Sequence, residues 1–163
     1  MLISEKMQAK LNEQINNEQY SAHLYLSMAT ALDSMGLKIF AEFYYRQAKE
    51  ETEHAMKILK YVVDAGGSVE LKGIADPKTK FKDVAEIVQG GLDHEIKITN
   101  LIKEIAALAE EEKDYLTRSF ISWFLDEQVE EVSTAQDLVD IVRLTPSGMV
   151  LAMESRVARM LGG

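Results

Sequence analysis

The 163-residue sequence predicts an all-α fold: an antiparallel four-helix bundle with one long crossover and a short fifth helix. Three observations predict it. Helix-breaking residues are confined to a few places, the stretches between them carry apolar seams of helical period, and two connections are short while one is long.

Prolines occur only at 77 and 146, and Gly36, Gly66, Gly67, Gly73, Gly148, Gly162 and Gly163 stand with them or at other breaks. The uninterrupted stretches read as helices at about Ser4 to Asp33, Leu37 to Asp64, Asp83 to Glu110 and Asp114 to Val142, with a short one near Gly148 to Leu161. Leu11, Ile15, Ala22, Tyr25, Ala29 and Leu32 mark the first seam, and Phe40, Tyr44, Ile58 and Tyr61 the second. Val84, Val88, Ile98, Ile102, Ile105 and Ala109 mark the third, and Phe120, Phe124, Leu138 and Ile141 the fourth. Spacings of three and four place each set on one helix face.

The first-to-second and third-to-fourth links are about three residues each, which makes those neighbours antiparallel. The link from Ala65 to Lys82 holds about 18 residues and could reach nearly 60 Å when extended, whereas a 28-residue helix is only about 42 Å long. It can therefore run the length of the bundle and start the third helix parallel to the second. A single domain over residues 1–163 is expected, with the bundle at about 4–142 and the last helix at about 148–161.

Composition narrows the chemistry. The absence of cysteine excludes disulfides, thiolate metal sites and cysteine nucleophiles, so any metal must be held by oxygen and imidazole. A formal charge of -9 argues against a nucleic-acid partner, because neutralising phosphates requires concentrated Lys and Arg. The start Met1-Leu2-Ile3-Ser4-Glu5-Lys6 turns polar at once, and no run approaches the roughly 20 apolar residues of a membrane span. A soluble, cytoplasmic protein without a membrane partner is the expectation.

The informative feature is where the seams break. Glu18 lies between Ile15 and Ala22; Glu51 and His54 lie between Gln47 and Ile58; Glu95 between Gly91 and Ile98; Glu127 and Glu131 between Phe124 and Leu138. Each break lies within about three residues, or roughly 5 Å, of its helix midpoint, so in aligned helices the breaks meet at one height. Converging buried carboxylates need cations between them. Glu51 and His54 form Glu-x-x-His, whose spacing aims carboxylate and imidazole at one ion. Carboxylates with one imidazole and no sulfur suit Fe(II), Mn(II) or, less well, Zn(II), and a shared glutamate would bridge two ions. Glu51 and Glu131 are the candidates for bridging or for the second ion, with Glu18 and His54 on the first and Glu95 on the second. Glu5, Glu13, Glu42, Glu70, Glu86 and Glu110 to Glu112 read as solvated faces. His23 and His94 lie off the seams and read as surface or partly packed residues, and Trp123 reads as core. Tyr25, two turns beyond Glu18, is equally a core residue or a group beside the metal.

These residues resemble the non-haem ferritins of bacteria and archaea over almost the whole chain. The likeness is carried by Leu11-Asn12-Glu13-Gln14 leading to Glu18 and Tyr20-Ser21, Tyr25-Leu26, Glu50-Glu51-Thr52-Glu53-His54-Ala55-Met56, His94-Glu95, and Trp123-Phe124 leading to Glu127-Gln128-Val129-Glu130-Glu131. The resemblance implies a hollow 24-subunit shell and Fe(II) oxidation by dioxygen or hydrogen peroxide at a di-iron site in each subunit, with ferric mineral stored inside. It implies Glu18, Glu51 and His54 as ligands of the first iron and Glu51, Glu95 and Glu131 of the second, with Gln128 beside them where dioxygen or water would bind. It also implies a third iron site at Glu50, Glu127 and Glu130 together with Glu131, and an electron-donor role for Tyr25. Thr52 stands where bacterioferritins have a methionine haem ligand, and the fourth helix lacks their second Glu-x-x-His, so no haem is expected. The runner-up function is a non-storing di-iron oxidase or peroxidase; a third is a purely structural bundle.

Overall fold

The computed structural model describes residues 1–162. Its helices are α1 (Glu5–Ser34), α2 (Lys38–Asp64), α3 (Val84–Glu111), α4 (Tyr115–Leu144) and α5 (Val150–Met160), each within two residues of the sequence expectation. No strand occurs among the described residues. Three helices start on a side-chain cap. Ser4 accepts from the Met7 N–H, Asp83 from the Glu86 N–H and Asp114 from the Thr117 N–H, each covering a donor that the first helical turn leaves unpaired. The turn after α1 is closed by Gly36 at φ 82°, with the Leu37 N–H donating back to the Leu32 carbonyl at 3.0 Å.

Hydrogen bonds and ion pairs fix the topology. The Leu2 N–H donates to the Ala65 carbonyl, so the start of α1 meets the end of α2. Ser4 donates to Glu112, and Lys10 pairs with Glu104, so α1 also runs antiparallel to α3. The crossover climbs along α1 in register. Asn12 donates to the Ser68 carbonyl and accepts from the Glu70 N–H, Asn16 donates to the Gly73 carbonyl, and Ser27 to the Lys78 carbonyl. These bonds satisfy a connection that has no secondary structure of its own, and they deliver it to the far end of the bundle.

α5 docks across that same end. Leu37 gives α2 no side-chain cap, and Glu154 of α5 takes that role by accepting the Ile39 N–H at 2.7 Å. Met153 and Val157 bury the apolar side of α5, and Arg46 of α2 donates to the Leu161 carbonyl.

The interior divides into two apolar clusters. One contains Tyr25, Met28, Leu32, Phe40, Tyr44, Ile87, Leu138 and Val157; the other contains Met7, Leu11, Ile15, Ile58, Ile98, Ile102, Ile121 and Phe124. Antiparallel pairing brings the C-terminal half of α1 and the N-terminal half of α2 into the first cluster, and the reverse halves into the second. The acidic breaks in the seams fall between the two. Of the seam residues, Tyr61, Val84 and Phe120 are only half-buried, because they lie near helix ends. Two burial readings change. Trp123 is 36 % exposed, with the Lys57 ammonium 3.3 Å above its ring, since it faces the outer flank of α4 while Phe124 turns inward. His94, read from its off-seam position as a surface or partly packed residue, is buried where α3 faces α1.

α3 carries two adjacent glycines that test this packing. A methyl group at Gly91 would stand 2.7 Å from the hydroxyl of buried Tyr44, whereas one at Gly90 meets only the end of Met28 at 3.4 Å. Alanine gains about 1 kcal/mol of helix propensity at either position, and overpacking a tight core costs about 1–3 kcal/mol. Urea unfolding should therefore show Gly90→Ala stabilised by up to about 1 kcal/mol and Gly91→Ala destabilised by up to about 2 kcal/mol.

Candidate metal centre

α1 contributes Glu18, α2 contributes Glu51 and His54, α3 contributes Glu95, and α4 contributes Gln128 and Glu131; all six are buried. Ligand-capable atoms of Glu18, Glu51 and His54 lie within 4.8 Å of one another, as do those of Glu51, Glu95 and Glu131. Glu51 belongs to both triads, so two cations held there would share it. Oxygen donors with one imidazole match the hard, divalent first-row ions that the sequence implied.

The electrostatics are those of a site built for positive charge. Burial raises the Glu18 carboxyl well above the usual range, and the neighbouring Glu51 charge adds to it. Burial does the same to Glu51, reinforced by the charges of Glu95 and Glu131, and burial also raises Glu95. Glu131 is pushed up to about 7 by burial and then by Glu95. Desolvation disfavours each anion and the neighbouring anions add repulsion. A buried oxygen of Glu18, Oε2, has no hydrogen-bond partner, which is the condition expected of an atom whose natural partner is a cation.

Neutral donors surround the acids. Tyr25 donates its phenol to Glu95, and Gln128 donates to the Glu95 carboxylate at 3.1 Å and to Thr99 at 3.0 Å. Gln14 donates to Glu18 at 2.7 Å and Gln47 to Glu131 at 2.6 Å. His54 Nδ1 lies 3.3 Å from Glu51 Oε2, and its ring is held edge-on by Trp123 and Phe124. His94 pairs with Ser21 at 2.7 Å, and its ring meets Tyr25 edge-on at 5.7 Å. Burial, with the Lys97 charge, lowers the His94 imidazole to about 4 and keeps it neutral near pH 7.

The third candidate site is brought together in part. Glu127 joins His54 and Glu131 in a further triad within 4.8 Å. Glu50 lies close enough for the Glu127 and His54 charges to act on it, whereas Glu130 is exposed and joins none of the triads. Gln14, Gln47 and Thr99 went unassigned in the sequence. The available signal was that Gln14 and Gln47 each stand one helical turn before an acidic seam break.

A helical bundle that buries a carboxylate-rich, two-cation centre at mid-height is the class this fold and these triads define. A ferritin-like domain description matches residues 8–145. The chain is 42% identical over 139 residues to the bacterial non-heme ferritin of Staphylococcus haemolyticus, covering 85% of this chain and 84% of that protein. It is 39% identical over 132 residues to that of Staphylococcus aureus, covering 81% and 80%. Among solved structures, an open pore ferritin from the hyperthermophilic archaeon Archaeoglobus fulgidus superposes with a TM-score of 0.93 at 39% identity, over 96% of both chains. A closed form of that ferritin, engineered by site-directed mutagenesis, gives 0.92 over 95% of this chain and 96% of that one. The chain belongs to the ferritin family.

The raised carboxyls set a pH signature for the metal-free protein. A carboxyl raised in the folded state contributes fully below its unfolded value of about 4.5, and the contribution is lost as pH rises through the folded value, about 7 for Glu131. Replacing Glu131 with its neutral isostere removes that loss. Glu131→Gln should match the wild type in apo-protein stability near pH 4 and exceed it by about 3 kcal/mol above pH 8, as read by chemical denaturation in the presence of a chelator.

Proposed function

We propose that this protein is an iron-storing ferroxidase: it takes two Fe(II) ions as substrate at the mid-bundle centre, oxidises them with dioxygen or hydrogen peroxide, and passes Fe(III) to a mineral inside a 24-subunit shell. The observation that carries the reading is the pair of buried triads sharing Glu51. Glu18, Glu51 and His54 hold the first iron; Glu51, Glu95 and Glu131 hold the second. Two adjacent irons supply two electrons together, so the oxidant need not accept them singly.

The residues each have a task. Glu51 joins the ions and sets their separation, and His54 supplies the one neutral ligand. Gln128 and Tyr25 hold the two oxygens of Glu95 from opposite sides, which fixes its carboxylate plane. Gln128 also borders the space where the oxidant or water would approach, and Tyr25 is placed to give up an electron beside the second iron. Hard carboxylate ligands favour Fe(III) over Fe(II), which draws the oxidation forward. Glu127, sharing His54 and Glu131 with the centre, begins the exit path as the third site, with Glu50 and Glu130 on its outer side. The relatives are named non-heme ferritins, which supports a ferritin role for this chain.

Anaerobic loading with Fe(II) followed by air should oxidise about two irons per chain in a fast phase, the capacity of the two triads. Glu51→Ala should abolish that phase, because both ions lose a ligand; a fast phase that survives the substitution refutes the site. Storage is read separately from solution mass. A particle near 24 times 18.3 kDa that retains iron supports the shell, and a dimer that turns over without retaining iron supports a non-storing oxidase.

A further inference from the structure

The ligand carboxylates differ in how their oxygens are occupied. Glu18 Oε1 accepts from Gln14 Nε2 at 2.7 Å, while Glu18 Oε2 is buried without any partner. Glu131 Oε2 accepts from Gln47 Nε2 at 2.6 Å, which leaves Glu131 Oε1 as its other oxygen. Glu51, the shared residue, receives no amide donor; His54 Nδ1 lies 3.3 Å from its Oε2, and its carboxyl also faces that of Glu18. Each outer carboxylate on α1 and α4 thus has one oxygen held by a glutamine.

The two glutamines are themselves buried, Gln14 at 1 % and Gln47 at 8 % exposure. Asn17 donates to the Gln14 carbonyl at 3.3 Å, so the Gln14 amide is turned with its NH2 toward Glu18. The bond between Gln47 and Glu131 crosses from α2 to α4 and ties together the helices that carry His54 and Glu131. The residue type is chemically specific. An amide donates a hydrogen bond to a carboxylate without adding charge, whereas Lys or Arg in the same place would neutralise the acid and repel the incoming cation, and Glu could not donate when ionised.

We infer that Gln14 and Gln47 are positioning residues for the two-cation centre: each pins one oxygen of an outer carboxylate, Glu18 or Glu131, so that the carboxylate meets its ion through the remaining oxygen. Pinning makes each outer ligand monodentate and stops it from swinging to chelate one ion with both oxygens. That presents the remaining oxygen already oriented toward the ion, which favours binding, and keeps coordination positions open for the oxidant. Hydrogen bonds that orient ligating carboxylates are a general device of metal sites, and their loss typically lowers metal affinity or activity by about 10–100-fold. The inference rests on the ligand assignment given under the proposed function.

Co(II) is the probe, because its visible bands report coordination number and it binds without turnover. Gln14→Met and Gln47→Met keep the side-chain volume and remove the donor. Each is expected to weaken Co(II) binding by about 10–100-fold and to alter the intensity of the visible bands, with helix content retained. In Fe(II) oxidation the same variants should raise the apparent KM more than they lower kcat. Gln89→Met, at an exposed position on α3, should bind as the wild type does. If a methionine variant fails to fold, Gln14→Asn and Gln47→Asn keep a polar group yet stand one bond short of the carboxylate, and the same loss is expected of them. Wild-type affinity together with a wild-type spectrum in the variants overturns the positioning role while Glu18→Ala still loses binding. Should Glu18→Ala bind Co(II) as tightly as the wild type, the ligand assignment itself falls, and the positioning role falls with it.

Discussion

The burial of like charge at the middle of the bundle is the constraint on which the rest of this structure depends. Four carboxylates and one imidazole meet between two apolar clusters, at a level where water is excluded and where each anion raises the energy of the next. An apolar slab at that height would make a more stable bundle. The sequence carries acid there instead, and the long, well-capped helices with continuous apolar packing on both sides hold the acids in place. A local rule is broken where function requires it, and the neighbouring layers compensate.

That constraint explains the polar residues around the acids. Low dielectric strengthens every hydrogen bond that reaches a carboxylate, and it penalises any buried polar atom left without a partner. Gln14, Gln47, Gln128 and Tyr25 all donate to these carboxylates, and all are neutral. His94 extends the neutral surroundings by packing against Tyr25 and bonding to Ser21. Positive charge is kept out of this network, so attraction for an incoming cation is undiminished. The buried Oε2 of Glu18 is the place where the hydrogen-bond network stops.

Much of this was legible in the chain. Seam residues such as Leu11, Ile58 and Ile102 are buried as their spacing required, and the acidic breaks converge because helix rise places midpoints at equal heights. Glu127 was read with the converging set and does meet His54 and Glu131, though from a half-buried position. Trp123 and His94 were misjudged for one reason. Both flank a seam, and a flanking residue faces solvent or a neighbouring helix according to where that helix packs. Glu130 points outward because it lies one residue from Glu131, about 100° around the helix.

By itself the sequence determined the helices, their seams, the crossover and the height at which acid interrupts apolar packing, because each of these follows from local periodicity, capping and chain length. Only the tertiary structure decided which carboxylates come within 4.8 Å of one another, which oxygen of Glu18 stays free and which glutamine reaches which acid. Gln47 stands one turn from Glu51 in its own helix yet donates to Glu131 in another. Such partnerships depend on the rotation and separation of helices distant in sequence, and these are set by packing across the whole bundle, which no local pattern encodes.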